Sequence, residues 1–284
     1  MTDCINAPRL IAFNYRRRFD VYAAFVKNTF LEMLAFRLRY LTGILTYMLF
    51  VSVNYFIWAA IYSGRPKNTE INGFSFSEMI TYIAVGWVAR SLYFSDLDYE
   101  IEDLVRSGDV SNYLLKPVDF QLMMFARACG SSAFRLLFFT VPIGLVILWI
   151  FPVMLPASAS AMLLFSLSTV SGFIILAEIN FIVGLLAFSI QSIQGIIRSK
   201  YFLIQLFSGL LLPMAFFPAG FRAVVELLPL KDISFVPLQF YLGHFAWGNV
   251  PSIFISQLIW IFVLLVAGRL MWQRAIAKLS IQGG

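Results

Sequence analysis

Six runs of apolar residues, separated by shorter polar stretches, organise the chain. About 20 apolar residues cross the hydrocarbon core of a bilayer, and by that measure spans are predicted over residues 40–62, 78–94, 120–151, 157–190, 201–216 and 253–271. Residues 5–37, ahead of the first span, follow a different period. Tyr22, Phe25, Val26, Thr29, Phe30, Met33 and Leu34 recur at helical spacing, with Asp20, Lys27, Asn28 and Glu32 on the other side. This predicts an amphipathic helix. A basic helix just ahead of a span is expected to lie in the membrane interface; packing on a partner in water is the alternative.

The apolar pattern breaks in two places. The first is the polar stretch 96–119, opened by five carboxylates, Asp96, Asp98, Glu100, Glu102 and Asp103. Glu100, Glu102 and Asp103 read as the acidic first turn of a helix, where negative charge suits the helix dipole. Ile101, Leu104 and Val105 form a short apolar stripe, and Gly108 is a natural stop. Asp109 is placed to cap a second short helix with Val110, Tyr113 and Leu114 as its apolar residues, ended by Pro117. A short stripe rimmed by charge suits a groove on another protein, and a solvated loop is the alternative.

The second break is 210–245, where Pro213, Pro218 and Gly220 interrupt an apolar run, Pro229 ends a short helical stretch and Pro237 opens another. Each proline removes a helix hydrogen bond. Non-helical backbone at membrane depth persists only where protein or a water-filled cavity covers it. A re-entrant pair of half-helices is therefore expected, with an ordinary outer loop and surface helix as the alternative.

Composition fixes the class. The chain is 60% hydrophobic and 13% charged with a mean hydropathy of +0.82, against about 25% charged in soluble domains. The expected fold is an all-α integral membrane protein, one transmembrane domain over 1–284, with an interfacial helix, six spans and a re-entrant pair before the last. The net charge of +6 is read as topology and not as nucleic-acid binding. With the N-terminus inside, the cytoplasmic segments hold fourteen lysines and arginines and the outer loops four, Arg65, Lys67, Arg222 and Lys231. That is the positive-inside bias, so both termini and the stretch 96–119 are expected in the cytoplasm.

The chain carries little chemistry of its own. Its single histidine, His244, has no sequence-evident carboxylate partner, and Cys4 and Cys129 lie far apart. No cluster offers the three or four ligands of a metal site. No P-loop spelling occurs, so the chain has no ATP cradle. No catalytic residue is expected. Arg135 and Glu178 both fall within predicted spans, toward the inner leaflet, and ionisable groups there are functional candidates by default. They are read as a possible intramembrane pair, structural or substrate-facing.

In the order of these features the chain resembles the membrane subunits of type-2 ATP-binding-cassette exporters. The likeness rests on the amphipathic helix, the six spans, the segment Arg106-Ser107-Gly108-Asp109 followed by Tyr113-Leu114-Leu115-Lys116-Pro117, and the proline-broken run with Pro213, Phe217, Pro218, Pro229 and Pro237. It implies a coupling role toward an ATPase for Ile101, Leu104, Val105, Gly108, Val110, Tyr113, Leu114, Lys116 and Pro117. It implies an outer gate built around Pro213, Phe217, Pro218 and Pro229. It also implies two separate ATP-binding subunits that hold ATP and Mg, a second permease copy or a different homologous permease, membrane lipids around the spans, and a bacterial plasma-membrane location. The expected activity is export of a lipid-like or amphipathic substrate. An ion- or proton-coupled secondary transporter is the rival reading, and a membrane scaffold or embedded enzyme a third.

Overall fold

The most apolar stretches form the longest helices. The computed structural model describes residues 15–35, 38–66, 69–190 and 192–282. Among these, four helical stretches are long and apolar enough to cross a membrane: Gly43–Tyr62, Phe120–Ile150, Ala159–Phe188 and Trp247–Ala277. Their 20 to 31 residues extend roughly 30 to 46 Å at about 1.5 Å per residue, against a hydrocarbon core of about 30 Å. They belong to α2 (Leu38–Tyr62), α6 with α7 (Phe120–Arg135 and Val141–Ile150), α8 (Ala159–Gly184) and α12 (Val250–Gln282). The shorter helices are α1 (Tyr15–Ala35), α3 (Phe76–Tyr93), α4 (Leu97–Ser107), α5 (Val110–Leu114), α9 (Gln194–Phe207), α10 (Ala219–Glu226) and α11 (Phe235–Leu242). Among the described residues the regular structure is helical with no strand, and several helices are apolar enough to cross a membrane, as in a multi-pass membrane protein.

Local sequence explains where these helices begin and bend. Ser75 and Glu78 form a capping box at the start of α3, with Ser75 N–H donating to Glu78 Oε2 (2.8 Å) and Glu78 N–H to Ser75 Oγ (3.3 Å). Ser158 caps α8 by accepting from Ala161 N–H (3.0 Å) and Asp119 caps α6 by accepting from Leu122 N–H (3.1 Å). Between α6 and α7 the helix widens into a π-turn over Leu136–Thr140. Pro142 follows directly and has no N–H to give back to the preceding turn.

Two apolar clusters divide the interior. One, around α4, gathers Leu97, Ile101, Phe120, Met124, Phe181 and Trp272, with the Phe120 and Trp272 rings stacked at 4.2 Å. The other, toward the Glu78 end of α3, gathers Trp58, Phe74, Tyr82, Trp87, Ile147 and Leu238. α3 is buried along most of its length and borders both.

Between α9 and α12 the chain turns back on itself. The predicted span 201–216 is divided, because α9 ends at Phe207 and the backbone turns at Gly209 and Pro213. Pro218 precedes α10 and Pro229 opens a 3-10 turn, Pro229–Asp232. That turn presses against Gly172, roughly 20 Å along α8 from its start. α11 then returns to the start of α8, where Ala157 N–H donates to Tyr241 C=O (3.1 Å).

The N-terminal helix, described from Tyr15, lies along α6; residues 5–14 and 36–37 of the expected amphipathic helix, and Cys4, lie outside the described residues. The crossing is close because residue 130 has no side chain. A Cβ at Gly130 would stand 2.4 Å from the Val26 carbonyl and 3.0 Å from Thr29 Cβ. Gly130→Leu is expected to lift α1 from α6 and cost about 1–3 kcal/mol by overpacking. A lower Tm together with new proteolysis within residues 15–35 checks this, with Gly195→Ala, whose Cβ meets open space, as the control.

Candidate functional site

The carboxylates that open the polar stretch 96–119 alternate in sequence, and on a helix that alternation separates into two i, i+4 pairs. Asp96 and Glu100 turn toward α6. Arg135 Nη2 reaches Asp96 Oδ2 (3.2 Å) while Nη1 donates to the Phe94 carbonyl (2.6 Å). Arg127 pairs with Glu100 and also lies 3.6 Å from Glu32 on α1. The two arginines meet the acids in reverse order, so α4 runs antiparallel to α6.

Asp98 and Glu102 turn the other way, toward α8 and α9. Lys200 pairs with Asp98 and donates to Asn180 Oδ1 (2.5 Å), whose own amide donates to the Ser95 carbonyl (2.9 Å). Tyr201 Oη–H lies between the Ser95 carbonyl (2.8 Å) and Asp98 Oδ1 (3.2 Å). Glu102 Oε1 accepts from Ile193 N–H (3.1 Å) and Ser192 Oγ–H (3.3 Å) at the start of α9. Ile193 cannot cap that helix with its own side chain, so Glu102 supplies the acceptor and the favourable charge. The far end of the segment is held by an Asp119–Arg269 pair to α12.

The Asp98–Lys200 pair is buried on both sides, Asp98 completely. Burial pushes the Asp98 carboxyl up from its ordinary range, opposed by the charge of Lys200. Burial also raises Glu100, against the pull of Arg127. Residue 184 on α8 is a glycine where α4 crosses, and a Cβ there would stand 2.8 Å from Ile101 Cδ1. The crossing and the buried pair therefore require each other.

Several expectations are revised by this geometry. α4 starts at Leu97, so its acidic first turn holds Asp98 and Glu100. Four of the five carboxylates are interhelix ties; Asp103, paired with Arg106, and Asp96, paired with Arg135, are the exposed ones. Asp109 makes no capping bond to α5 and accepts instead from Ser107 Oγ–H (2.8 Å). Arg135 and Glu178 each have another partner, Arg135 with Asp96 and Glu178 accepting from Gln121 Nε2 (2.8 Å), so they form no pair. His244 does have a carboxylate, Glu78, at 2.8 Å. Among the described residues no group of His, Cys, Asp or Glu converges to hold a metal.

The residues expected to couple to a partner fall into two sets. Ile101 and Val110 are buried in the core, and Leu104, Val105 and Tyr113 are half-buried against it. Gly108, at φ +79° in the left-handed region, turns the chain out of α4. Beyond it Leu114, Lys116 and Pro117 are exposed, and Leu115, part of the quoted motif but not among the residues expected to couple, is 86% exposed. Beside this tip a cavity of about 1080 Å³ opens between α1, α4 and α6. Glu32, Asp96, Glu100, Asp103 and Asp109 outnumber the three arginines that line it. At the other break, Pro213 and Pro218 stand at helix starts and Phe217 packs edge-on against Phe221 (5.4 Å).

Lys200→Met leaves Asp98 buried without its cation and is expected to cost about 3–5 kcal/mol. Adding Asp98→Asn should recover much of that loss. Thermal unfolding of both variants in detergent checks the coupling, and equal losses in the single and double variants contradict it.

Comparison with known proteins adds the class of the chain. No curated protein matches it. The family description "ABC-2 family transporter protein" matches residues 48–283, which include α4, its ties and the turned-back segment. The chain belongs to the ABC-2 family of membrane transporter proteins.

Proposed function

We propose that the chain is the permease subunit of an ATP-driven exporter, working with separate ATP-binding subunits that hold ATP and Mg. The observation that carries the reading is the tip formed by Gly108 to Pro117. It exposes Leu114 and Leu115 on a segment tied through ion pairs to α6, α9 and α12. A displacement of the tip by a partner is passed on most firmly through the Asp98–Lys200 pair, because breaking a buried pair costs more than moving its partners together. The acidic cavity beside it suits a basic surface on the partner.

In this reading α2, α3, the α6–α7 pair, α8, α9 with the residues after it, and α12 make six crossings. α1 lies at the interface, and both termini face the cytoplasm of a bacterial plasma membrane. The turned-back segment with Pro213, Phe217, Pro218 and Pro229 closes the outer end of a path between two permeases, copies of this chain or this chain and a homologue. Apolar walls favour a lipid-like or amphipathic substrate.

Replacing Leu114 and Leu115 together by Asp is expected to lower co-purification of the ATP-binding subunit at least tenfold, a change of about 1.4 kcal/mol, with Tm unchanged. Ile101→Ala, by contrast, should cost about 2–5 kcal/mol of stability through its cavity. Co-purification at wild-type level by the double Asp variant overturns the coupling surface. Transport by reconstituted protein without any ATPase favours the secondary-transporter reading.

A further inference from the structure

Asp232 closes the 3-10 turn at the point where the segment between α10 and α11 reaches deepest into the molecule. It is 1% exposed, and Gln257 of α12 and Ser168 of α8 beside it are fully buried. The approach is tight, with the Asp232 carbonyl 2.9 Å from where a Cβ at Gly172 would stand. The Gln257 amide lies within hydrogen-bonding range of the Asp232 carboxyl, but its Nε2 donates to Ser168 Oγ (2.7 Å). Asp232 Oδ2 and Gln257 Oε1 are left buried with no hydrogen-bond partner.

These are two buried acceptors with no donor between them. Among the described residues no cation makes an ion pair with the carboxylate, although the charge of Lys231 acts on it. Lys231, the nearest, donates to the Glu226 carbonyl (2.5 Å), and Arg222 on α10 pairs with Glu226. Of the other packed elements, α9 gives its Lys200 to Asp98, α8 carries Glu178 more than two turns from Ser168, α11 has no charged residue, and Arg269 of α12 pairs with Asp119. An unpaired carboxylate in such surroundings takes up a proton in preference to remaining charged.

We propose that Asp232 is a proton-binding site. The neutral carboxyl donates Oδ2–H to Gln257 Oε1, which satisfies both orphaned atoms with one hydrogen. It thereby locks the turned-back segment between α8 and α12. Loss of the proton places an unpaired charge there and releases the segment. This holds whether or not transport is ATP-driven.

The sign follows from linkage. A carboxyl protonated in the folded state and ionised when unfolded contributes stability that is complete below about pH 4 and is lost as pH rises through its folded-state pKa. The purified full chain in detergent should therefore lose about 2–4 °C of Tm for each pH unit between about pH 4 and that pKa, with no further slope from this group above it. Asp232→Asn, a neutral donor of the same shape, should fold and remove that slope. The infrared C=O stretch of a protonated carboxyl should be present at about pH 5, fade as pH rises through the folded-state pKa, and be absent in Asp232→Asn. The proposal is overturned if the variant fails to fold, if both proteins share one pH slope, if the band is missing, or if sodium or potassium raises Tm in place of protons.

Discussion

The cost of removing charge from water governs how this protein is assembled. The polar segment between α3 and α6 enters an apolar molecule carrying a carboxylate at every second position, and each buried one must find a cation or a helix end. Arg127, Lys200 and the start of α9 meet that demand, and Arg135 ties the exposed Asp96 at the start of α4. Because the partners sit on different helices, satisfying the charges also sets where α4 lies. Gly184 then lets Ile101 seat against α8. The segment is consequently an integral part of the helical body, and only its far tip is free to meet another molecule.

Interior and exterior are divided by the same rule elsewhere. Asn180 and Glu178 on α8 are both buried, yet one joins the network around Lys200 and the other is held by Gln121 and sits beside α12. α8 thus presents polar groups on two faces to two sets of neighbours while its outer residues, such as Leu163 and Leu167, are apolar and exposed. A helix so arranged can be displaced only together with what it holds.

Features with local causes were legible in the sequence. Gly108 ends α4 in the left-handed conformation, Pro218 and Pro229 mark helix and turn starts, and the long apolar runs become the four long helices. Features that depend on distant partners were not. Lys200 lies 102 residues from Asp98 and Arg135 lies 39 from Asp96, and nothing in local spacing names either partner. Arg135 and Glu178 shared a depth along their helices, but depth does not fix the direction a side chain takes around a helix. The start of α4 was within reach: Leu97, Ile101 and Leu104 stand at helical spacing, and that stripe begins one turn before the acidic cluster suggested. Leu115 was passed over because exposure of an apolar residue at a chain reversal leaves no periodic trace.

The π-turn at Leu136–Thr140 falls immediately after Arg135, the last residue of that long helix gripped by the polar segment. Below it α6 is bonded to α4 and α1; above it Ile143 and Ile147 pack with Val51 and Trp87 of α2 and α3. The widened turn thus marks the boundary between two differently anchored halves of a single rod. One half is seated by ion pairs at the polar end, the other among the aromatic rings of the opposite end.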